Sequence, residues 1–198
     1  IQFHDGTDFN ADAVVFNFER WMDTENPYHI GDFPYYPFLY GGFKGDPDHL
    51  IEYVKAVDES TVEIKLKEKT APFISYLAIP MFGMASPEAI KTYNENFYEH
   101  PVGTGPFEFE SWAKNEKVVL KANENYYVEG QPYLDKLIFT VIPDNSARLN
   151  VLLAGEADII DGMNPDDANT VEANNDLQLI KRPSFNNGFM VFNTQKER

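Results

Sequence analysis

The sequence contains no cysteine, so a disulfide framework, a thiolate metal site and a cysteine nucleophile are all excluded. Basic residues are scarce, with 16 lysines and arginines against 32 acidic residues and a formal net charge of −16 at pH 7. Because nucleic-acid phosphates bind a basic surface, this balance argues against nucleic acid as a partner. The sequence also lacks a run of roughly 18 apolar residues, the length that a membrane-spanning helix requires.

Apolar and aromatic residues are abundant. Hydrophobic residues make up 43% of the 198 residues and aromatic ones 15%, including 16 phenylalanines and 11 tyrosines. That is enough apolar surface to offset the conformational entropy of the chain, so we expect a folded protein. The length is suited to one large domain or two small ones.

The four histidines form no metal-binding motif. His4, His29, His49 and His100 are far apart in the sequence, and none belongs to the HExxH pattern of a zinc helix. We therefore predict no metal site and no cofactor.

Candidate nucleophiles and acids are equally isolated. Ser111 and Lys114 match the S-x-x-K pattern of penicillin-binding enzymes, but the SDN and KTG partner motifs are missing. Asp158 and Asp161 could serve as a glycosidase pair, although such proximity also arises by chance among 32 acidic residues. We predict no catalytic residue.

The first half of the chain combines helix and hairpin signals. Residues 51–57 and 61–67 alternate apolar and polar side chains around a turn, which predicts a β-hairpin. Pro72 and Pro87 each favour the start of a short helix. Asn10 can cap a longer helix whose apolar residues recur at helical spacing, namely Val14, Val15, Phe18, Trp21 and Met22.

Residues 27–43, PYHIGDFPYYPFLYGGF, form an aromatic segment interrupted by proline and glycine. We expect an irregular loop there, because these breakers disfavour a long helix. Its aromatic residues, Tyr36 and Phe38 among them, could stack against a ligand or pack onto the core. Both interpretations remain open at this point.

The stretch PVGTGPF, residues 101–107, resembles a glycine-rich phosphate loop but lacks its context. Such a loop needs a helix directly after the glycines. Here residues 107–112 follow, with strictly alternating apolar and polar side chains. A second strand-like segment, 118–122, comes after a turn. The pattern predicts a β-hairpin.

The last third of the chain reads as strand, helix, strand, helix, strand, which is typical of a parallel βαβ sheet. We predict strands at 137–142, 157–160, 177–181 and 188–193, and helices at 145–154 and 164–174. The first strand is continuously apolar, which indicates burial on both faces. We divide the chain near Thr104, into an α+β part (1–104) and a part ending in an open α/β sheet (105–198).

Four segments together resemble one family: FHDGTDFNADAVVFNFERWMD, TAPFISYLA, PVGTGPFEFESWAKNEKVVLKANENYY and LIFTVIPDNSARLNVLLAGEADI. They are similar to the extracellular solute-binding proteins of peptide-type ABC importers, the group of oligopeptide-, dipeptide- and nickel-binding proteins. The similarity continues to the strand GFMVFNTQ and thus covers nearly the whole chain.

The resemblance implies a two-lobed clamp of the class II periplasmic-binding-protein fold, which binds a peptide and delivers it to a membrane permease without a chemical reaction. Residues 1–104 then correspond to an accessory subdomain and 105–198 to part of the first lobe. We expect the chain to be part of a longer extracytoplasmic protein, periplasmic or a cell-surface lipoprotein. This part alone should bind peptide weakly or not at all, because half of the clamp is missing. Nickel or haem in place of peptide stays possible within the family.

Ligand contacts are expected where strands end, because ligands of open α/β sheets gather at the carboxyl ends of the strands. This rule points to Met163 and Asn164 after the second predicted strand, and to Asn186 and Asn187 after the third. Ordinary turn chemistry would use the same residues. An exposed edge of strand 188–193, including Gly188 and Phe189, could pair with an extended peptide.

Two other kinds of function fit parts of the sequence. The aromatic segment and the many acids would suit a secreted carbohydrate-binding or glycan-active protein. An unpaired strand edge near the end of the chain would suit an interaction module that dimerises.

Overall fold

A computed structural model describes residues 1–183, which fold into two compact units, Ile1–Val141 and a second one that begins at Ile142. Among these residues, none of the helices is long and apolar enough to cross a membrane. The helices are α1 (Ala11–Met22), α2 (Tyr35–Tyr40), α3 (Phe73–Leu77), α4 (Pro87–Tyr93), α5 (Asn145–Leu153) and α6 (Ala168–Glu172). The strands are β1 (Ile51–Asp58), β2 (Thr61–Leu66), β3 (Phe107–Ala113), β4 (Lys117–Ala122) and β5 (Lys136–Thr140). Short 3-10 helices cover Pro80–Phe82, Asn94–Glu99 and Pro165–Asp167.

The mixed helix-and-strand architecture that the sequence predicts is confirmed. The boundary that the structure places between its compact units, at 141/142, differs from the predicted one near Thr104. The predicted boundary near Thr104 separates the accessory subdomain from the first lobe of the family fold, which is a different division from that into compact units. As a division between subdomain and lobe it stays a prediction.

Helix α1 begins where the sequence predicts. The side chain of Asn10 accepts a hydrogen bond from the backbone N–H of Ala13 at 3.0 Å and so caps the first turn. Phe18, Trp21 and Met22 are almost completely buried and form one side of the core of the first unit. Their helical spacing therefore identifies the buried face.

The predicted hairpin of β1 and β2 is also confirmed. The two strands pair antiparallel, with Val54 opposite Ile64 and Ala56 opposite Val62. Val54 is buried, whereas Lys55 forms an exposed ion pair with Glu63 at 2.7 Å. The alternation along each strand thus separates a core face from a solvent face.

The aromatic segment contributes much of the core. Tyr36 and Tyr40 lie one helical turn apart on α2 and are completely buried. Their rings contact each other at 4.8 Å between centroids, and both contact Phe82. Helix α2 ends at Gly41, whose φ of 73° is left-handed, and a Cβ there would lie 2.2 Å from the carbonyl oxygen of Asp48. Core packing therefore accounts for these two tyrosines.

A buried histidine accompanies these tyrosines. The Nε2 atom of His49 lies 3.0 Å from the hydroxyl of Tyr36, and only 2% of the His49 surface is exposed. Burial, together with the nearby charge of Lys67, lowers the pKa of His49 below its usual value. The histidine is accordingly neutral in the folded protein at pH 7.

We expect the free energy of unfolding to fall as the pH drops below about 6.5, the unfolded pKa of histidine. The unfolded chain then binds a proton that folded His49 does not, so stability decreases by up to about 1.4 kcal/mol per pH unit. Urea unfolding at several pH values between 7.5 and 5 measures this slope. His49→Gln should remove it and His100→Gln, at an exposed site, should not. A slope that survives in His49→Gln would refute the assignment.

Hydrogen bonds from His4, near the start of the sequence, hold the segment PVGTGPF in place. The Nε2 atom of His4 lies 3.0 Å from the carbonyl oxygen of Gly105, and the backbone N–H of His4 donates to the carbonyl of Gly103 at 2.9 Å. Phe107 then begins β3 directly. The expected strand is present where a phosphate loop would require a helix.

Strands β3, β4 and β5 form a three-stranded antiparallel sheet in that order. The predicted hairpin of β3 and β4 is confirmed, but the interpretation of β5 as the first strand of a parallel sheet is wrong. Ile138 and Phe139 of β5 are 60% and 58% exposed, so this strand is not buried on both faces. A run of apolar residues predicts a strand, but it does not indicate whether that strand pairs parallel or antiparallel with its neighbour.

The described part of the second unit contains the predicted helices but not the strands predicted at 157–160 and 177–181. Asp144 caps α5, and Gly155, with φ 70°, follows its end as expected. Residues 157–160 and 177–181 form no strand in the described part of the chain, and Ile159 and Ile180 are 87% and 73% exposed. Among the described residues neither segment has a neighbouring strand to pair with. The presence of such a partner cannot be predicted from the periodicity of apolar residues. The predicted strand 188–193 lies outside the described residues.

Candidate functional site

The loop 161–164, named the ligand loop because the sequence predicts ligand contacts at Met163 and Asn164, connects the segment after α5 to the 3-10 helix Pro165–Asp167. It turns at Gly162, whose φ of 73° is left-handed and favours glycine. The carboxylate of Asp161 accepts the backbone N–H of Gly162 at 3.0 Å and faces Arg182 at 3.1 Å. Both members of this ion pair are exposed, so it contributes little stability.

Arg148 of α5 joins the start of its own helix to the ligand loop. One terminal nitrogen, Nη1, donates to the carbonyls of Ile142 at 2.5 Å and of Pro143 at 3.1 Å. The other, Nη2, donates to the carbonyl of Gly162 at 2.7 Å and to the side-chain oxygen of Asn145. The planar guanidinium thus connects two backbone segments, 142–143 and Gly162, and the side chain of Asn145 through fixed directions.

A second connection runs through amide side chains. The Nδ2 group of Asn145 donates to Oδ1 of Asn164 at 2.8 Å, and Nδ2 of Asn164 lies 3.4 Å from a carboxylate oxygen of Asp167. Asn164 was predicted as a ligand contact, and in the structure both ends of its amide already have partners in the protein. Each end retains capacity for one further hydrogen bond.

Met163 lies between these anchored residues and is partly exposed. Its neighbours on both sides are fixed, by Arg148 at Gly162 and by Asn145 at Asn164. A methionine side chain adapts its shape to different apolar groups. The arrangement can therefore offer an adaptable apolar contact on a fixed backbone.

The other predicted site residues have different placements. Tyr36 is completely buried in the core of the first unit, whereas Phe38, two residues further along α2, is 82% exposed. Of these two residues of α2, Phe38 alone is accessible to a ligand. Asn186, Asn187, Gly188 and Phe189 lie outside the described residues, and their role stays a prediction.

Sequence reasoning did not identify Arg148 or Asn145. Both lie in the first turns of a helix that was predicted correctly, and neither belongs to a motif that we tested. One signal was present, because an arginine so close to a helix N-terminus opposes the helix dipole and needs compensating acceptors. The pattern of the acceptors is visible only in the structure.

The described residues contain no group of three or more histidines or acids close enough to hold a metal ion. An open depression of about 510 Å³ lies beside the start of α1 and is lined in part by Asp8, Asp12, Glu88 and Lys91. The predicted site residues that the structure describes, Tyr36, Phe38, Met163 and Asn164, do not line it.

Comparison with known proteins places the chain in a family. The model for "Bacterial extracellular solute-binding proteins, family 5 Middle" matches residues 1–198. The chain belongs to this family. The predicted resemblance is thereby confirmed.

The glutathione-binding protein GsiB of Shigella flexneri is 35% identical over 197 residues, which are 99% of this chain and 36% of that protein. The chain therefore spans about a third of the length of the curated relatives it matches. Among solved structures, the periplasmic binding protein DppA of Helicobacter pylori in complex with the peptide STSA is similar, with a TM-score of 0.76 and 28% identity. The match covers 88% of this chain and 35% of DppA.

A family member with a different ligand is also similar. NikZ of Campylobacter jejuni, solved in complex with Ni(L-His), matches with a TM-score of 0.69 and 28% identity over 88% of this chain and 32% of NikZ. These likenesses give the fold as part of a class II periplasmic binding protein, as predicted. They also show that the fold accommodates more than one kind of solute.

Proposed function

We propose that the chain is part of a solute-binding protein that captures peptides outside the cytoplasm and delivers them to the permease of an ABC importer. It catalyses no reaction in this proposal. The observation that supports it most is the similarity to a structure solved with a bound peptide, which extends over 88% of the chain. The relative GsiB supports it as well, since glutathione is itself a small peptide.

The geometry of the ligand loop is compatible with peptide capture. A protein that accepts many peptide sequences needs fixed polar groups for the main chain and adaptable apolar surface for the side chains. Arg148 holds the backbone carbonyl of Gly162, Asn145 holds the side chain of Asn164, and Met163 supplies adaptable surface. Asn186, Asn187 and the strand that includes Gly188 and Phe189 are proposed to complete this contact.

The proposed location is extracytoplasmic, either the periplasm or the cell surface as a lipoprotein, in accord with the description of the family. The proposed partners are a peptide and the membrane permease. Nickel is the second candidate ligand, because a similar structure contains a nickel–histidine complex.

Isothermal titration calorimetry on the whole protein that contains this chain tests the proposal. The titrants are glutathione, mixed di- to pentapeptides, a nickel–histidine complex and, for the carbohydrate alternative, mixed oligosaccharides. We expect micromolar or tighter binding in the titration with glutathione or with the mixed peptides. Binding confined to nickel–histidine or to sugars would refute peptide as the ligand.

Met163→Ala is expected to weaken peptide binding by roughly tenfold. A methionine side chain that the bound peptide buries contributes about 1.5 kcal/mol or more to the binding free energy. Met163→Leu keeps the apolar volume and should stay within about threefold of the wild type. Leu153→Ala changes an exposed apolar residue of the same unit and serves as the control. Equal affinities for the wild type and Met163→Ala would remove Met163 from the site.

A further inference from the structure

Arg148 has an electrostatically unfavourable position. It is the fourth residue of α5, and its guanidinium reaches back beyond the start of the helix to the carbonyls of Ile142 and Pro143. The N-terminus of a helix carries a partial positive charge, which disfavours a cation there. The side chain therefore depends on its acceptors for compensation.

Those acceptors carry no formal charge. The four hydrogen bonds of Arg148 go to three backbone carbonyls and one side-chain amide, and none goes to a carboxylate. The Nε group is buried without a partner among the described residues. A buried donor without an acceptor costs free energy.

The approach between Arg148 and the ligand loop is close. A Cβ added to Gly162 would lie 3.4 Å from Nη2 of Arg148, and the φ of Gly162 is left-handed. Such a Cβ would make an ordinary van der Waals contact, so the left-handed φ, and not a lack of space, is what favours glycine here. Beyond Gly162, the carbonyl of Asn164 accepts the backbone N–H of Asp167 at 3.0 Å, which continues the anchored geometry into the 3-10 helix.

We propose that Arg148 is a positioning residue, which holds the ligand loop in its binding geometry before a ligand arrives. Its guanidinium fixes the carbonyl of Gly162 relative to the start of α5, and Asn145, itself bonded to Arg148, fixes Asn164. A loop that is ordered in advance spares the ligand the cost of ordering it. That this loop contacts a ligand rests on the proposed function, whereas the ordering of the loop by Arg148 does not.

The test uses the whole protein with Arg148→Met and Arg148→Lys. Neither replacement presents the planar fork that joins Ile142, Asn145 and Gly162. The control is Arg182→Met, which removes an exposed ion pair to the same loop. Three quantities are measured: hydrogen exchange of individual backbone amides without ligand, the urea unfolding midpoint, and peptide affinity.

The backbone amides of Asp167 and Ala168 donate to the carbonyls of Asn164 and Pro165. In both Arg148 variants we expect hydrogen exchange at these two amides to accelerate at least about tenfold, which corresponds to the loss of one charge-assisted hydrogen bond. Peptide affinity should fall by a similar factor, while exchange inside α5 stays near that of the wild type. Arg182→Met should leave all three quantities unchanged.

Unchanged exchange at Asp167 in Arg148→Met would overturn the proposal. So would an increase spread evenly over the second unit with a matching loss in the unfolding midpoint, because that is the result of a purely structural role. If the wild type binds no peptide but local exchange still rises in the variants, peptide capture fails and the positioning role stands.

Discussion

Tyr36→Ala is expected to lower the free energy of unfolding by about 3–5 kcal/mol, the range for a large aromatic residue removed from a core. Tyr36 is completely buried and contacts Tyr40, Phe43 and Phe82. Its removal also takes away the hydrogen-bond partner of buried His49. Urea unfolding measures the change.

The same helix provides the control. Phe38 lies two residues away and is 82% exposed, so Phe38→Ala should change the unfolding free energy by no more than about 0.5 kcal/mol. Similar losses in the two variants would contradict the placement of Tyr36 in the core. If Phe38→Ala weakens ligand binding without loss of stability, Phe38 keeps its predicted role as a ligand contact.

Asn17→Ala is expected to cost about 3 kcal/mol or more, because several buried partners would remain unpaired. The Nδ2 group of Asn17 donates to the carbonyls of Ala13 and Ala85 at 2.9 and 2.8 Å. Its Oδ1 atom accepts from the N–H of Ala85 and from Nε of Arg20, each at 3.2 Å. This completely buried amide thus connects α1 to the segment before α4.

Urea unfolding of Asn17→Ala, with exposed Asn96→Ala as the control, measures that cost. We expect the control to stay within about 0.5 kcal/mol of the wild type. A loss below about 1 kcal/mol in Asn17→Ala would show that water replaces the amide at this place.

Local patterns predicted the helices and the hairpins well. The cap at Asn10, the buried stripe that includes Phe18 and Trp21, and the hairpin of β1 and β2 depend on neighbours in the sequence, and the sequence contains them. Strand β5 shows the limit of this reasoning. Its direction depends on pairing with β4, which no local period encodes.

The candidate site was predictable only in part. Turn residues and the strand-end rule led to Met163 and Asn164, although the strand predicted before them is absent from the described residues. The bonds that fix the ligand loop come from Arg148, 14 residues from Gly162, and from Asn145, 19 residues from Asn164. Contacts of that separation follow from tertiary structure and not from a motif.

The central claim, peptide capture for an importer, is tested most directly by accumulation of an isotope-labelled tripeptide in cells of the source bacterium. The strains carry the intact gene, a deletion, or the deletion with the gene restored. The account predicts that deletion abolishes peptide accumulation, that the restored gene recovers it, and that nickel accumulation stays unchanged. Undiminished peptide accumulation together with a loss of nickel accumulation in the deletion strain would contradict it.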